Sequence, residues 1–279
     1  MEANDYIFGI RAVMEAIESG KQIDKVLVRN DLNGQLAGEL FNLLRANDIR
    51  PQRVPEQKLN RITRKNHQGV IAFVSAVNYY SLRQVVPTLF EDGILPMLVV
   101  LDGITDVRNF GAIARTAECC GVNAIVIPER GSAGVNADAV KTSAGALLHL
   151  PVCRERSLKE SVEYLKLSGY TIVAASEKAD INYTKADFTG PVAIVMGAED
   201  VGISPEILRL CDTMVSIPMF GHIGSLNVSV AAGVMLYEAV RQRLESDISG
   251  RQCWLFVKNS LNLQPNKSAH QRQIYANNI

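Results

Sequence analysis

No run in this chain approaches the roughly 20 consecutive apolar residues that a membrane span needs, although 47% of its 279 residues are hydrophobic. The start, MEANDYIFGIRAVMEAIESGK, lacks the basic, then apolar, then small-residue order of a secretory signal. A cytoplasmic location and no membrane partner are therefore expected. Cysteine is sparse: Cys119, Cys120, Cys153, Cys211 and Cys253 are odd in number and hold no C-x-x-C pair. That indicates neither a disulfide framework nor a zinc site, so no metal is expected and the thiols read as small core residues in a reducing compartment. Net charge is missing too, because 29 basic side chains balance 29 acidic ones. The balance does not exclude a nucleic-acid partner, since recognition depends on the distribution of charge as well as its sum. Finally, LDGITDVRNFGA does not supply the G-x-G-x-x-G that a nucleotide-dependent oxidoreductase needs after its first strand.

What is present is a chain long enough for two domains. GIRAVMEAIESG has the apolar spacing of an amphipathic helix closed by Gly20, and IDKVLV from Ile23 reads as a strand. QLAGELFNLLRAND, a strand near Val54, the short helix EQKLNRIT and the strand GVIAFVS complete a small α/β unit. Within it, Arg50, Arg53, Lys58, Arg61, Arg64 and Lys65 face the single acid Glu56 across RPQRVPEQKLNRITRKNHQG. Such a run reads as a solvated face or, beside Asn66, His67 and Gln68, as an RNA-backbone contact, because phosphates take cations and neutral donors together.

Periodicity breaks from about Asn78 to Leu95, where Pro87, Asp92, Gly93 and Pro96 suggest a linker. Beyond it, MLVVLD, NAIVIP, YTIVAAS, AIVMG and MVSIP are strands, and four of the five are continuous apolar runs, as a parallel sheet buried on both faces requires. Ser157 with Glu160 suggests a capping box for SLKESVEYLKLSG. A sustained helical series after Asn227 should close the domain near Leu244. The expected domains are 1–76, a linker over 77–95, a catalytic domain over 96–245 and a flexible, Asn/Gln/Ser-rich tail over 246–279.

Three loops lie just past apolar strands, where open α/β sheets collect ligands. In LDGITDVRNFGAIARTAECCGV, Asn109 reads as a helix cap or a site residue, and Arg115 as a solvated cation or a site residue. In AIVMGAEDVGIS, Gly197 permits close backbone approach to a ligand, and Glu199 can orient donors or simply start a helix. In SIPMFGHIGSLNVSVAAG, Ser225, Asn227 and Ser229 crowd one helix start that needs a single cap, while His222 reads as a loop residue.

The trio N-F-G-A-I-A-R-T-A, M-G-A-E-D-V-G-I-S and I-P-M-x-G-x-x-x-S-L-N-V-S-V-A resembles, in order and spacing, the three motifs of SpoU-type (TrmH-like) methyltransferases of the SPOUT superfamily. The likeness spans about Leu98 to Leu244. The N-terminal unit, with GIRAVMEAI and the N-H-Q-G-V turn at Asn66, is similar to the ribosomal-protein-L30e-like substrate-binding domain of many members. Within the family the combination most resembles the RlmB-type branch, which methylates a guanosine ribose 2′-hydroxyl of 23S ribosomal RNA. The alternatives left open are a transfer-RNA ribose methyltransferase and a non-catalytic RNA-binding protein on the same fold.

The resemblance implies a homodimer, a deep trefoil knot in the α/β catalytic domain, S-adenosylmethionine as cofactor, and a site at the subunit interface. It implies that Arg115 acts on the ribose hydroxyl or the neighbouring phosphate, with Asn109, Glu199, Ser225 and Asn227 shaping the site. Gly197, Ile217, Met219, Ser225 and Leu226 would hold the cofactor, and Arg61, Arg64, Lys65 and His67 the RNA. A guanidinium keeps its proton at neutral pH, so stabilising the forming alkoxide or binding phosphate is physically easier for an arginine than acting as base. Two departures stand out: Val107 occupies a position where the family's first motif commonly has proline, and the tail after Glu245 has no family counterpart.

Overall fold

The computed structural model describes residues 6–261, with side chains to residue 246. Its first unit alternates β1 (Tyr6–Phe8), α1 (Ile10–Glu18), β2 (Ile23–Arg29), α2 (Gln35–Ala46), β3 (Gln52–Val54), α3 (Glu56–Ile62) and β4 (Val70–Val74). The sheet order is β1-β4-β2-β3, with β4 antiparallel to both neighbours and β2 parallel to β3. Val13 and Ile17 of α1 pack with Leu40 and Leu44 of α2 over Val26, Val28 and Ala72 of the sheet.

The N-H-Q-G turn holds this unit together. Gln68, with a positive φ of 51°, sends Oε1 to accept from the Ile10 backbone N–H at 3.1 Å, satisfying one of the donors that the start of α1 leaves open. His67 is buried; its Nδ1 accepts the Gly69 N–H at 3.0 Å, which leaves Nε2 to donate to Asn60 Oδ1 at 3.0 Å. His67 therefore shapes the turn, its ring turned inward rather than displayed with the exposed Arg61, Arg64 and Lys65.

Segment 77–95 is not a bare linker. It carries β5 (Tyr79–Tyr80) and α4 (Leu82–Glu91). Ser81 and Gln84 form a reciprocal capping box, and Leu82 and Val86 are buried. Pro87 lies inside α4 without ending it, so this proline and the nearby Gly93 misdirect a reading based on breakers alone.

The second unit continues with β6 (Met97–Asp102), α5 (Val107–Cys119), β7 (Ala124–Pro128), α6 (Ala137–Thr142), β8 (Val152–Glu155), α7 (Leu158–Leu167), β9 (Thr171–Ala175), β10 (Ile181–Asn182), β11 (Val192–Gly197), α8 (Pro205–Leu208), β12 (Thr213–Ser216) and α9 (Val228–Leu261). The sheet order is β10-β12-β9-β11-β6-β7-β8-β5, and every pairing is parallel. Alternation along β6 explains the continuous apolar runs. Met97, Val99 and Leu101 enter a core with α5, α6 and α9, whereas Leu98 and Val100 enter the opposite core with α4 and α7. The Ser157 hydroxyl accepts the Glu160 N–H at the start of α7, a cap without the reciprocal bond of a full box. Helix α9 passes the expected end near Leu244 and runs to Leu261, so 246–261, expected as flexible tail, is helical; 262–279 lie outside the described residues.

Two half-buried polar arrangements orient these parts. Arg243 of α9 donates to the carbonyls of Leu95, Pro96, Phe188 and Gly190, fixing the helix beneath the entry to β6 and β11. Between the units, Arg154 at the end of β8 donates to the Ile23 and Asp24 carbonyls and pairs with the Asp24 carboxylate, which also accepts from Tyr79 Oη. Burial pushes the Asp24 carboxyl up and raises the Tyr79 phenol well above its ordinary value.

Candidate active site

The parallel sheet delivers three loops from the carboxyl ends of its strands to one place. The first leads into α5, whose N-cap is Asp106: its carboxylate accepts the Asn109 N–H at 2.8 Å. Asn109 is thus not the cap, and its amide is free to reach Glu199, donating Nδ2–H to Oε1 at 3.3 Å. Gly111, two residues on, is a packing requirement, since a Cβ there would meet Thr142 Cβ at 2.7 Å.

The second loop leaves β11 at Gly197 and folds back on itself. A Cβ on Gly197 would lie 2.3 Å from the Gly202 carbonyl carbon and the Ile203 nitrogen. The close approach foreseen for a ligand at this glycine is therefore made by the loop's own backbone. Asp102 at the end of β6 accepts the Ser204 N–H at 2.7 Å and anchors the loop's exit. This folding places Glu199 where its Oε1 takes three donors: the Asn109 amide, the Asn227 amide and, at 3.2 Å, the Val228 backbone N–H.

The third loop ends on α9. Asn227 caps that helix through Oδ1, which accepts the Ser229 N–H at 3.0 Å and the Ser229 hydroxyl, while its Nδ2 donates to Asn109 Oδ1 at 3.0 Å and to Glu199. The carboxylate of Glu199 at the Val228 N–H also complements the positive end of α9. Of the crowded candidate caps, Asn227 is the one used, and Ser225 stands apart from the helix.

Asn109, Glu199 and Asn227, from three separate motifs, thus form a closed hydrogen-bonded triangle. Against it lies a cavity lined by Gly197, Ile217, Met219, Ser225 and Leu226 together with Glu199 and Val228. Sequence reasoning missed the segment Ala175–Glu177, which lines the same cavity from the end of β9. The signal was available, because YTIVAAS is an apolar strand whose carboxyl end obeys the same rule as the other three.

Arg115 is the member of the expected set that the structure leaves elsewhere. It is exposed on α5, does not line the cavity and has no hydrogen bond or ion pair among the described residues. Arg61, Arg64 and Lys65 are exposed on the first unit. There Lys65 lies over the Phe8 ring at 5.9 Å, and Arg53 over Phe41 at 5.3 Å. Glu56, the acid inside this run, faces Arg29 at 3.7 Å. Among the described residues, Arg50, Lys58, Arg61 and Arg64 have no carboxylate partner.

The SpoU rRNA Methylase family model matches residues 96–237, the stretch that supplies all three loops. The chain belongs to that family. A second model, RNA 2′-O ribose methyltransferase substrate binding, matches residues 6–80. A putative TrmH family tRNA/rRNA methyltransferase of Staphylococcus saprophyticus is 37% identical over 85% of this chain and 95% of its own length. A relative of the same description from Bacillus subtilis, YacO, is 35% identical over 87% of this chain and 97% of its own. Among solved structures, the SpoU methyltransferase AviRb from Streptomyces viridochromogenes, in complex with the cofactor AdoMet, aligns with a TM-score of 0.54 at 29% identity, covering 86% of this chain and 90% of that one. The protein is an RNA methyltransferase of the SpoU/TrmH family.

The cavity suits that cofactor chemically. Met196, Val215, Ile217, Met219 and Leu226 give apolar walls for a purine and a methionine chain, and the ends of β9 and β11 bring backbone polar groups to its rim.

Proposed function

We propose that this protein methylates a ribose 2′-hydroxyl of RNA in the cytoplasm, with a guanosine of 23S ribosomal RNA as its target. The observation that carries the proposal is the Asn109–Glu199–Asn227 triangle beside a cavity built from the same motifs. In this reading Gly197, Ile217, Met219, Ser225 and Leu226 hold S-adenosylmethionine, which supplies an electrophilic methyl group when bound. The triangle keeps the three loops in register, so the chain provides the positioning that an in-line displacement rewards. Ser225, free of the helix start, faces the reacting region.

Arg115 supplies positive charge for the forming alkoxide or the adjacent phosphate. Because it does not line its own chain's cavity, the proposal places it in the partner's site within a homodimer. An apolar stripe supports such a face: Val230, Tyr237 and Leu244, seven residues apart on α9, are 51%, 57% and 58% exposed. Helix α5, which bears Arg115, packs against α9. The knotted threading implied by the resemblance belongs to the same proposal. Arg61 and Arg64, which have no carboxylate partner among the described residues, would with Lys65 hold the RNA backbone.

The test is transfer of labelled methyl groups to ribosomal RNA and then alkaline hydrolysis. A methylated 2′-hydroxyl cannot attack its phosphate, so the label should remain in an alkali-resistant dinucleotide whose first nucleoside is guanosine. Label released as a methylated base would contradict ribose chemistry, and label confined to transfer RNA would contradict the substrate.

A further inference from the structure

Two carboxylates line the cavity, and they differ in what they already hold. Glu199 is committed to three donors of its own chain, with one oxygen taken by Asn109, Asn227 and Val228. Glu177, from the turn after β9, has no hydrogen bond or ion pair among the described residues. That turn is well fixed. The Ser176 N–H donates to the Val215 carbonyl at 2.9 Å, the Ser176 hydroxyl accepts from the Lys178 N–H at 3.3 Å, and the Ala179 N–H returns to the Ser176 carbonyl at 3.2 Å. An exposed but uncommitted acid therefore stands on a held backbone, lining the cavity at the carboxyl end of a parallel strand.

Resting on the cavity being the cofactor site, we propose that Glu177 is a specificity-determining residue that accepts hydrogen bonds from the vicinal ribose hydroxyls of S-adenosylmethionine. A carboxylate has two acceptor oxygens and no donor, which matches a pair of neighbouring hydroxyl donors. The apolar walls can take the purine face and the methionine chain; of the other polar side chains lining the cavity, the Ser176 hydroxyl already accepts the Lys178 N–H and Glu199 already holds three donors, which leaves Glu177 as the uncommitted carboxylate. An acid placed just past a parallel strand is the arrangement by which nucleotide-binding sheets recognise a ribose diol, so the chemistry suits the place.

Isothermal titration of the full-length protein tests this without turnover. Glu177→Gln and Glu177→Ala should each weaken S-adenosylmethionine by about tenfold, the size of a lost charge-assisted hydrogen bond. The same loss should appear for 5′-methylthioadenosine, which keeps the diol but has neither the sulfonium nor the amino-acid charges. It should vanish for the 2′,3′-dideoxy form of 5′-methylthioadenosine. A loss seen with S-adenosylmethionine and absent with 5′-methylthioadenosine would overturn the proposal, since Glu177 would then answer the positive charge. Unchanged affinity in both variants would overturn it as well. Ile217→Arg separates the two levels: if it leaves binding intact, the cofactor lies elsewhere and the cavity assignment fails; if it abolishes binding while Glu177 variants bind normally, only the role of Glu177 fails.

Discussion

The two units place their candidate functional residues in opposite ways. In the eight-stranded parallel sheet, residues up to 118 positions apart meet within hydrogen-bonding distance, because parallel strands all end on the same side and their loops share one rim. In the four-stranded sheet, the basic residues stay spread over a surface, and the one imidazole expected among them turns inward. The parallel unit concentrates chemistry at a point, whereas the mixed unit displays charge over an area. A small perturbation should therefore be severe in the first and graded in the second.

The largest effect is expected at Gly197. Gly197→Ala would drive a methyl group into the backbone of Gly202 and Ile203, and the overpacked loop should cost about 1–3 kcal/mol of stability, read by thermal unfolding. The displaced Glu199 should carry cofactor affinity down with it. Unfolding at the wild-type temperature would show that the loop can spread at no cost and that its crowding is not what sets the site. At the other extreme, Arg61→Ala with Arg64→Ala should leave unfolding unchanged. The slope of RNA affinity against salt should fall by about two units, one for each phosphate contact removed. An unaltered slope would return these arginines to an ordinary solvated face.

The sequence made much of this legible, unevenly and for physical reasons. The buried strands of the parallel sheet are plain because β6, β7, β9 and β11 are apolar on both faces, a pattern that little else produces. The short edge strands β5 and β10, two residues each, carry no period to read. Helix α4 is hidden by Pro87 and Gly93, although Ser81 and Gln84 spell its cap. In the site, Glu199 and Asn227 are visible in their motifs, but their joint hydrogen bonds depend on loop folding that no local spacing encodes. The burial of His67 is not legible, because an imidazole in a basic run looks solvated until the tertiary fold supplies Asn60 and the Gly69 N–H. Glu177 lies outside all three motifs, so only its place just past the carboxyl end of β9 marks it.

The central claim is that the cavity belongs to one chain and the arginine beside it to the other. Mixing two inactive proteins tests it most directly: Arg115→Ala, with an intact cavity, and Ile217→Arg, with an intact arginine. After subunit exchange, half of the dimers would pair one intact cavity with the other chain's Arg115, so methyl transfer should return to about a quarter of the wild-type rate at equal total protein. If Arg115 serves the cavity of its own chain, the mixture stays as inactive as its components, and that result would contradict the account.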